Sequence, residues 1–184
     1  MDDYKFLEEL ANGQKLEGDE GQISGLTIRY TELSDAQHLF GWLSDPSVSS
    51  WFPMTGEAEI DDATKRWISF YRIHSSLTAE MDGVPCGIIT LFLQAYKKLL
   101  HQTEFGIIVA PEFRNRGIGS FLIKSVMRLA KEKFNIELLH LQVYAENPAI
   151  RLYKRMGFRE FGRQTHWIKE PGRYVGRIFM ERFL

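Results

Sequence analysis

A short, continuously apolar run in the middle of the chain constrains the fold most. Residues 87–93 read Gly-Ile-Ile-Thr-Leu-Phe-Leu, and a strand that is apolar on both faces belongs in the middle of a sheet. The preceding pair, Asp82-Gly83, readily adopts the positive φ angles of a tight type I′ turn. Residues 77–81 and 84–94 are therefore predicted to form a β-hairpin inside a covered sheet.

Hydrophobic periodicity in the rest of the chain predicts an α+β order. Further strands are expected at residues 26–31, 102–109 and 138–144, and as two strands around Pro171-Gly172 within residues 158–184. Helices are expected at residues 34–43 (capped by Ser34), 57–74, 116–134 and 148–156. Residues 49–53 are predicted to form a loop. The prediction is a mixed sheet of about seven strands, flanked by about four helices.

Composition narrows the class of protein. The 184 residues are 44% hydrophobic, and 23 Lys plus Arg nearly balance 24 Asp plus Glu, so neither a disordered chain nor a general nucleic-acid binder is expected. No apolar run approaches the ~20 residues of a membrane span, and no secretory signal is recognisable. We expect a cytoplasmic protein without a membrane partner, with residues 1–24 as an N-terminal arm or linker and residues 25–184 as one domain.

The single cysteine and the histidines suggest no metal or nucleophile chemistry. Cys86 lies at the start of the apolar run with no base nearby in sequence, which predicts a buried, unactivated thiol in a reducing compartment. The five histidines show no metal-ligand spacing. No metal is therefore predicted.

A glycine- and arginine-rich turn carries the strongest chemical signal. Residues 109–120 read Val-Ala-Pro-Glu-Phe-Arg-Asn-Arg-Gly-Ile-Gly-Ser, between a predicted strand and a predicted helix. Free N–H groups at a helix start, two glycines and two arginines suit a diphosphate. A P-loop would need a Lys after the glycine, and a dinucleotide fingerprint would need Gly or Ala where Leu122 stands. Both of those alternatives fail.

Three linked segments resemble the GNAT acyltransferase superfamily. They are Glu104–Pro111, the pattern Arg114-x-x-Gly117-x-Gly119, and Asn147–Tyr153 followed by Gly157-Phe158. The likeness covers about Leu26 to Leu184. It implies a mostly antiparallel central sheet with a splayed central pair, residues 102–109 and 138–144, and it implies acetyl-CoA as co-substrate. The splay would leave backbone groups that an extended pantetheine arm can satisfy as though it were a strand.

The resemblance also implies which residues hold acetyl-CoA. Pantetheine would pair along Ile107, Ile108 and Val109, and the diphosphate would lie on Arg114, Asn115, Arg116, Gly117, Ile118, Gly119 and Ser120. Asn147 is a further candidate contact. Its spacing to Ile150 is shorter than in many members, and the longer spacing would place Glu146 there instead.

Catalytic candidates follow from the chemistry of acyl transfer to an amine. An exposed amine with a pKa of about 10.4 is protonated near pH 7, so a base must take a proton before attack. Glu104 is the first candidate, acting directly or through a water. His140 is the second candidate base, and Gln142 could only orient substrate or water. Tyr153 resembles the general acid that the family uses at the coenzyme A sulfur.

The acceptor is expected to be a small amine, an amino acid or a protein N-terminus. Trp51 and Phe52 lie in the predicted loop and are expected to form one wall of its pocket, whereas Trp67 and Tyr71 are expected to pack inward.

A second copy of the chain is a candidate partner. A non-catalytic acyl-CoA sensor on the same fold is the alternative function, and a scaffold protein would leave the diphosphate turn unexplained.

Overall fold

The computed structural model describes residues 5–7 and 23–184. Seven strands form one sheet in the order β1-β2-β3-β4-β5-β7-β6. The strands are β1 (Leu26–Tyr30), β2 (Ser76–Met81), β3 (Val84–Phe92), β4 (Gln102–Val109), β5 (Leu138–Tyr144), β6 (Arg159–Glu170) and β7 (Arg173–Phe183). All neighbours pair antiparallel except β4 and β5, which are parallel. The predicted mixed, mostly antiparallel sheet is confirmed.

The described residues 5–7 are helical, and residues 23–184 contain five further α-helices. They are α1 (Ala36–Ser44), α2 (Pro46–Ser49), α3 (Glu57–Ile68), α4 (Ile118–Phe134) and α5 (Ile150–Arg155). Short 3-10 turns add Leu33–Asp35, Ser69–Ile73, Lys97–Leu99 and Pro111–Phe113. No helix in residues 5–7 and 23–184 is long and apolar enough to cross a membrane.

The sheet is covered on both faces around β3. Ile89 and Leu91 face the core that includes Leu122 and Val126 of α4, whereas Ile88 faces a second core that includes Leu39 of α1. All six side chains are fully shielded from solvent. The apolar run therefore lies inside the sheet, as its composition predicts, and the two positive φ values of Asp82 and Gly83 confirm the tight hairpin turn.

The segment before α3 differs from the prediction. Pro46 begins the short helix α2, which was not predicted, and the predicted loop follows from residue 50 onward. Asp45 Oδ1 accepts a hydrogen bond from Ser47 N at 2.8 Å and caps the helix start. Ser34 is not the cap of α1. A 3-10 turn precedes that helix, and Asp35 Oδ2 accepts from Glu32 N at 2.9 Å. The expectation missed the Asp-Pro-Ser sequence, which is typical of a helix start.

Phe6 connects the start of the chain to the core. This residue is completely buried against the α4 side of the sheet, and the cationic groups of Arg128 and Lys133 each lie 5.6 Å from its ring centroid. It belongs to the predicted arm 1–24. The rest of that arm, apart from residues 5–7, 23 and 24, lies outside the described residues.

β4 and β5 separate after three residue pairs. Gln102, Thr103 and Glu104 pair with Leu138, Leu139 and His140, and the register ends there. On its other side β4 remains paired with β3 up to Val109, and β5 remains paired with β7 up to Tyr144. Each strand is thus held by its outer neighbour while the inner edges part. The expected splayed pair is confirmed.

A buried ion pair ties β1 to the start of α1. The Arg29 guanidinium donates two bonds of 2.8 Å to Asp35, whose side chain is 2% exposed, and a third bond of 2.7 Å to Glu80 on β2. Thr78 also donates to Asp35 at 2.9 Å. Burial alone would raise the pKa of Asp35, but the bonds from Arg29, Glu32 N–H and Thr78 outweigh burial and hold the pKa below its ordinary 3.8.

Asp35→Asn is expected to lower the free energy of unfolding by about 2–3 kcal/mol at pH 7, because Arg29 would lose its buried counter-charge. Since the folded-state pKa is depressed, this contribution is present above pH 3.8 and disappears as pH falls through the folded value. Urea titrations at pH 7 and pH 3 measure the difference. The control is Asp61→Asn, which breaks an exposed pair with Lys65 and should cost at most about 0.5 kcal/mol. Equal losses for the two variants would contradict the assignment.

Candidate active site

A cleft of about 1390 Å³ opens where β4 and β5 separate. It runs from the turn before α4, between the two strands, to the side covered by α2 and α3. Ile107, Ile108 and Val109 of β4 line one wall, and Leu141 to Tyr144 of β5 line the other. The separated strand edges therefore face each other across open space.

The turn before α4 presents its backbone to the cleft. Asn115 and Gly117 have φ values of 62° and 84°, and Gly117 is the N-cap of the helix. The first helical N–H groups have no partner inside a helix, and those of Ile118, Gly119 and Ser120 lie at this end. A Cβ on Gly117 would approach Ile23 Cδ1 to 2.9 Å. The positive φ favours glycine at this position, and a larger residue would also displace the end of the Ile23 side chain.

The two arginines of the turn differ in position. Arg114 lines the cleft, and its Nε and Nη1 donate to the carbonyls of Val109 and Ser47 at 3.3 and 3.4 Å. It thus links the end of β4 to α2. Arg116 is exposed, lies over the Phe113 ring at 5.4 Å, and is not part of the lining. Of the eleven residues predicted to hold the cofactor, the structure brings all except Arg116 to the cleft.

Asn147 lies between β5 and α5. Its Oδ1 accepts a hydrogen bond from Ala149 N at 2.8 Å, and its carbonyl accepts from Ile150 N at 3.2 Å. The side chain therefore stabilises the start of α5 and lines the cleft as well.

Glu104 stands at the point where the strands part. It is half-buried and lines the cleft, and its Oε2 accepts a hydrogen bond of 3.2 Å from Nε2 of Gln142 across the gap. His140 is the register partner of Glu104 but is not part of the lining. Burial lowers the pKa of His140, against the opposing effect of Glu104 and Glu181, so its imidazole is neutral at pH 7.

Tyr153 reaches the cleft from α5. The residue is 8% exposed and lines the cleft, with its ring edge-on to Phe105 and Phe158 at 6.2 and 6.3 Å. Burial raises the pKa of the phenol well above its usual value. The hydroxyl therefore stays protonated and can donate a hydrogen bond at any physiological pH.

Comparison with known proteins decides the family. The Acetyltransferase (GNAT) family matches residues 36–158, about two thirds of the chain. The chain belongs to the GNAT family. Acetyl-CoA is the acetyl donor of GNAT acetyltransferases, and the match includes β4, the turn, α4 and Tyr153, which together border the cleft.

Three individual proteins illustrate the likeness. An L-amino acid N-acetyltransferase of Escherichia coli is 31% identical over 107 residues, which are 58% of this chain and 66% of that protein. A spermidine N(1)-acetyltransferase of Vibrio cholerae is 27% identical over 85% of this chain and 93% of its own length. The solved structure of a Salmonella typhimurium acetyltransferase with its cofactor acetyl-CoA has the same fold, with a TM-score of 0.68 at 19% identity, covering 87% of this chain and 94% of that one.

Aromatic side chains line the GNAT cleft on the side of α2 and α3. Trp51 and Phe52 line this side of the cleft, and they lie in the turn that directly follows α2. Trp67 also lines the cleft, whereas its spacing along the helix predicts that it packs inward. It does both, because its ring contacts Phe52 and Phe92 and also borders the cleft. Tyr71 packs against the neighbouring core instead.

Gly106, Arg151 and Arg155 also line the cleft, although the sequence did not lead us to predict them as site residues. A Cβ on Gly106 would meet Trp67 at 2.6 Å, so this glycine makes room for the indole. A glycine inside a strand is the signal that could have revealed the close approach. Arg151 and Arg155 on α5 line the cleft near the turn, and Arg155 donates to Ser120 at 3.2 Å.

Cys86 is a structural thiol, as expected. It is fully buried, its Sγ donates to the Ala79 carbonyl at 3.4 Å, and burial raises its pKa to about 11. At pH 7 the reactive thiolate is therefore scarcely populated.

Gly117→Val is expected to weaken coenzyme A binding by at least about 100-fold if the turn holds the phosphates, because a branched side chain would disturb its positive-φ backbone and move its N–H groups. Titration calorimetry with coenzyme A measures the Kd. Gly83→Val is the matched control, since Gly83 has φ 79° and open space around its Cβ position. It should lose stability but keep the Kd, and an unchanged Kd for Gly117→Val would refute the turn as the phosphate site.

Proposed function

We propose that this GNAT protein transfers the acetyl group of acetyl-CoA to a small primary amine while both substrates are bound. The observation that most supports this proposal is the continuous cleft. It joins the turn before α4 to Glu104 and Tyr153 through the gap between β4 and β5, and then to an aromatic pocket lined by Trp51, Phe52, Trp67 and Phe92. Similarity to an L-amino acid N-acetyltransferase and a spermidine N(1)-acetyltransferase supports amines as acceptors. Residues 25–184 form the catalytic domain in this proposal, and its single buried thiol suits the cytoplasm.

The unpaired strand edges accommodate the donor. β4 beyond Glu104 has backbone groups that β5 does not satisfy, and a buried backbone group without a partner is costly. An extended pantetheine arm carries amides that can pair with Ile107 to Val109 in place of a strand. The diphosphate then reaches the start of α4, where N–H groups and the positive end of the helix dipole stabilise it.

Glu104 removes a proton from the acceptor. At its place beside the gap, the carboxylate can accept the proton of the bound ammonium directly or through one water. The free amine then attacks the thioester carbonyl. His140 is a weaker candidate for this step, because burial lowers its pKa and its side chain lies outside the cleft lining.

Tyr153 assists departure of the thiolate. A new C–N bond forms as the C–S bond breaks, and the proton released by the nitrogen finally balances the charge on sulfur. The raised pKa of the phenol makes complete ionisation costly, so its contribution is a hydrogen bond donated to the developing thiolate. The thiolate then takes one proton from solvent, which balances the proton that the nitrogen loses, and Tyr153 keeps its own proton throughout.

The aromatic pocket favours acceptors that carry an apolar or aromatic substituent. Trp51, Phe52 and Trp67 line it with Phe92, while Glu59 and Asp62 at its edge already accept hydrogen bonds from Thr55 and Arg66. Apolar walls stabilise an apolar substituent by removing its surface from water.

A free-thiol assay with an amine panel tests the function. Wild-type protein should release coenzyme A with at least one primary amine, and aromatic monoamines and apolar amino acids should give a higher kcat/KM than spermidine. Acetyl-CoA should also raise the melting temperature, since a ligand of the native state stabilises it. A thermal shift without coenzyme A release across the panel would instead support the acyl-CoA sensor.

Substitution of the two proposed catalytic residues should separate chemistry from binding. Glu104→Gln and Tyr153→Phe are each expected to lower kcat by about 10- to 1000-fold, because each removes a group that acts in the transition state. The Kd for acetyl-CoA should change less than about twofold, as neither group binds the phosphates. Steady-state kinetics with calorimetry measure both quantities. Unchanged turnover in either variant would remove its assigned role.

A further inference from the structure

Arg177 on β7 lies in an unusual environment for a charged side chain. Its guanidinium carbon lies 4.7 Å from the ring centroid of Trp167 and 4.6 Å from that of Phe179. Its Nε donates to Oε1 of Gln164 at 3.0 Å. Within residues 5–7 and 23–184 it forms no ion pair. Two aromatic rings and a neutral amide therefore hold this cation in place.

The remaining bond of Arg177 leads towards the cleft. Its Nη1 donates to Oε1 of Gln142, and Nε2 of the same Gln142 donates to Oε2 of Glu104 at 3.2 Å. The Gln142 amide thus links β7 to β4 across the gap. Because a guanidinium can only donate, the amide oxygen must face Arg177 and the amide NH₂ must face Glu104.

We propose that Arg177 is a positioning residue, which orients the Gln142 amide so that it holds the Glu104 carboxylate in one place at the mouth of the gap. The inference rests on the proposed function, in which Glu104 is the base. The Gln142 side chain is exposed, and its amide oxygen accepts from Arg177, so removal of Arg177 leaves that oxygen without its donor and lets the amide rotate. A reversed amide would present its oxygen to the carboxylate and repel it.

The position of Glu104 matters because proton transfer requires hydrogen-bond contact with the amine or a single bridging water. A displacement of about 1 Å in a catalytic group can cost about 100-fold in rate. The donor site is separate, since the turn before α4 does not include Arg177, Gln142 or Gln164. Loss of Arg177 should therefore affect kcat and leave donor binding intact.

Arg177→Met tests this separation. The thioether keeps an apolar contact with the rings but removes every donor, and we expect kcat to fall about 10- to 100-fold with KM for acetyl-CoA within about twofold. Arg163→Met is the control, because Arg163 on β6 is paired with Glu160 and lies away from the cleft; its kcat should stay at the wild-type value. Equal changes in kcat and in KM for acetyl-CoA would overturn the proposal.

A double-mutant cycle identifies the route of the effect. If Arg177 acts through Gln142, then Arg177→Met should cause no further loss of kcat in a Gln142→Leu background. Arg177→Lys keeps the charge and an ammonium donor but not the planar fork. In the protein with Gln142 unchanged, it should retain part of the wild-type kcat. A full additional loss in the double variant would contradict an action through Gln142.

A spectroscopic readout keeps the two proposals distinguishable. The side-chain NH₂ resonances of Gln142 can be assigned in a ¹H–¹⁵N spectrum by their absence in Gln142→Leu. Arg177→Met should shift them, and Arg163→Met should not. If Arg177→Met shifts the Gln142 resonances but the wild-type protein acetylates no amine, the proposed function is refuted and the positioning of Gln142 stands. If the resonances do not move and the wild-type protein is active, only the positioning role is refuted.

Discussion

Only three residue pairs join β4 to β5, and the rest of the site depends on where that pairing stops. β3 and β7 continue to hold the outer edges of these strands, so the inner edges part without loss of the sheet. The backbone N–H and C=O groups that would otherwise form hydrogen bonds between the two strands then face a cleft. A ligand with extended amides can replace the missing partner strand, and this replacement links binding of the donor directly to the architecture of the sheet.

The two ends of the cleft have different chemistry. At one end, the turn before α4 offers main-chain N–H groups, with Arg114, Arg151 and Arg155 nearby, which suits phosphate. At the other end, indole and phenyl rings line the cleft with Glu59 and Asp62 at its edge, and the Glu104 carboxylate lies where the strands part, held by Gln142. A charged donor and a mostly apolar acceptor can therefore bind side by side, and their reacting groups would meet beside Glu104 and Tyr153.

Sequence patterns predicted much of this arrangement because the responsible interactions are local. The bounds of β4 and β5 follow from short runs of alternating or apolar residues, and the structure places both strands where they were expected. The Asp82-Gly83 turn and the positive φ at Gly117 express backbone preferences that a few residues decide. The helix α2 was not predicted although its signal is local too, since the side chain of Asp45 caps the helix start and Pro46 occupies its first turn.

What the sequence determined by itself is most of the elements, the covered strand β3 and the phosphate-type turn, since hydrophobic period and glycine placement act over a few residues. Only the tertiary structure decided that Trp67 borders the cleft, that His140 and Arg116 do not, and that Arg177 reaches Glu104 through Gln142. The two hydrogen bonds of the last relation join residues that are 35 and 38 positions apart in the chain. They depend on how far two strands separate and on which side chains cross the gap, and no local preference of the backbone encodes either quantity.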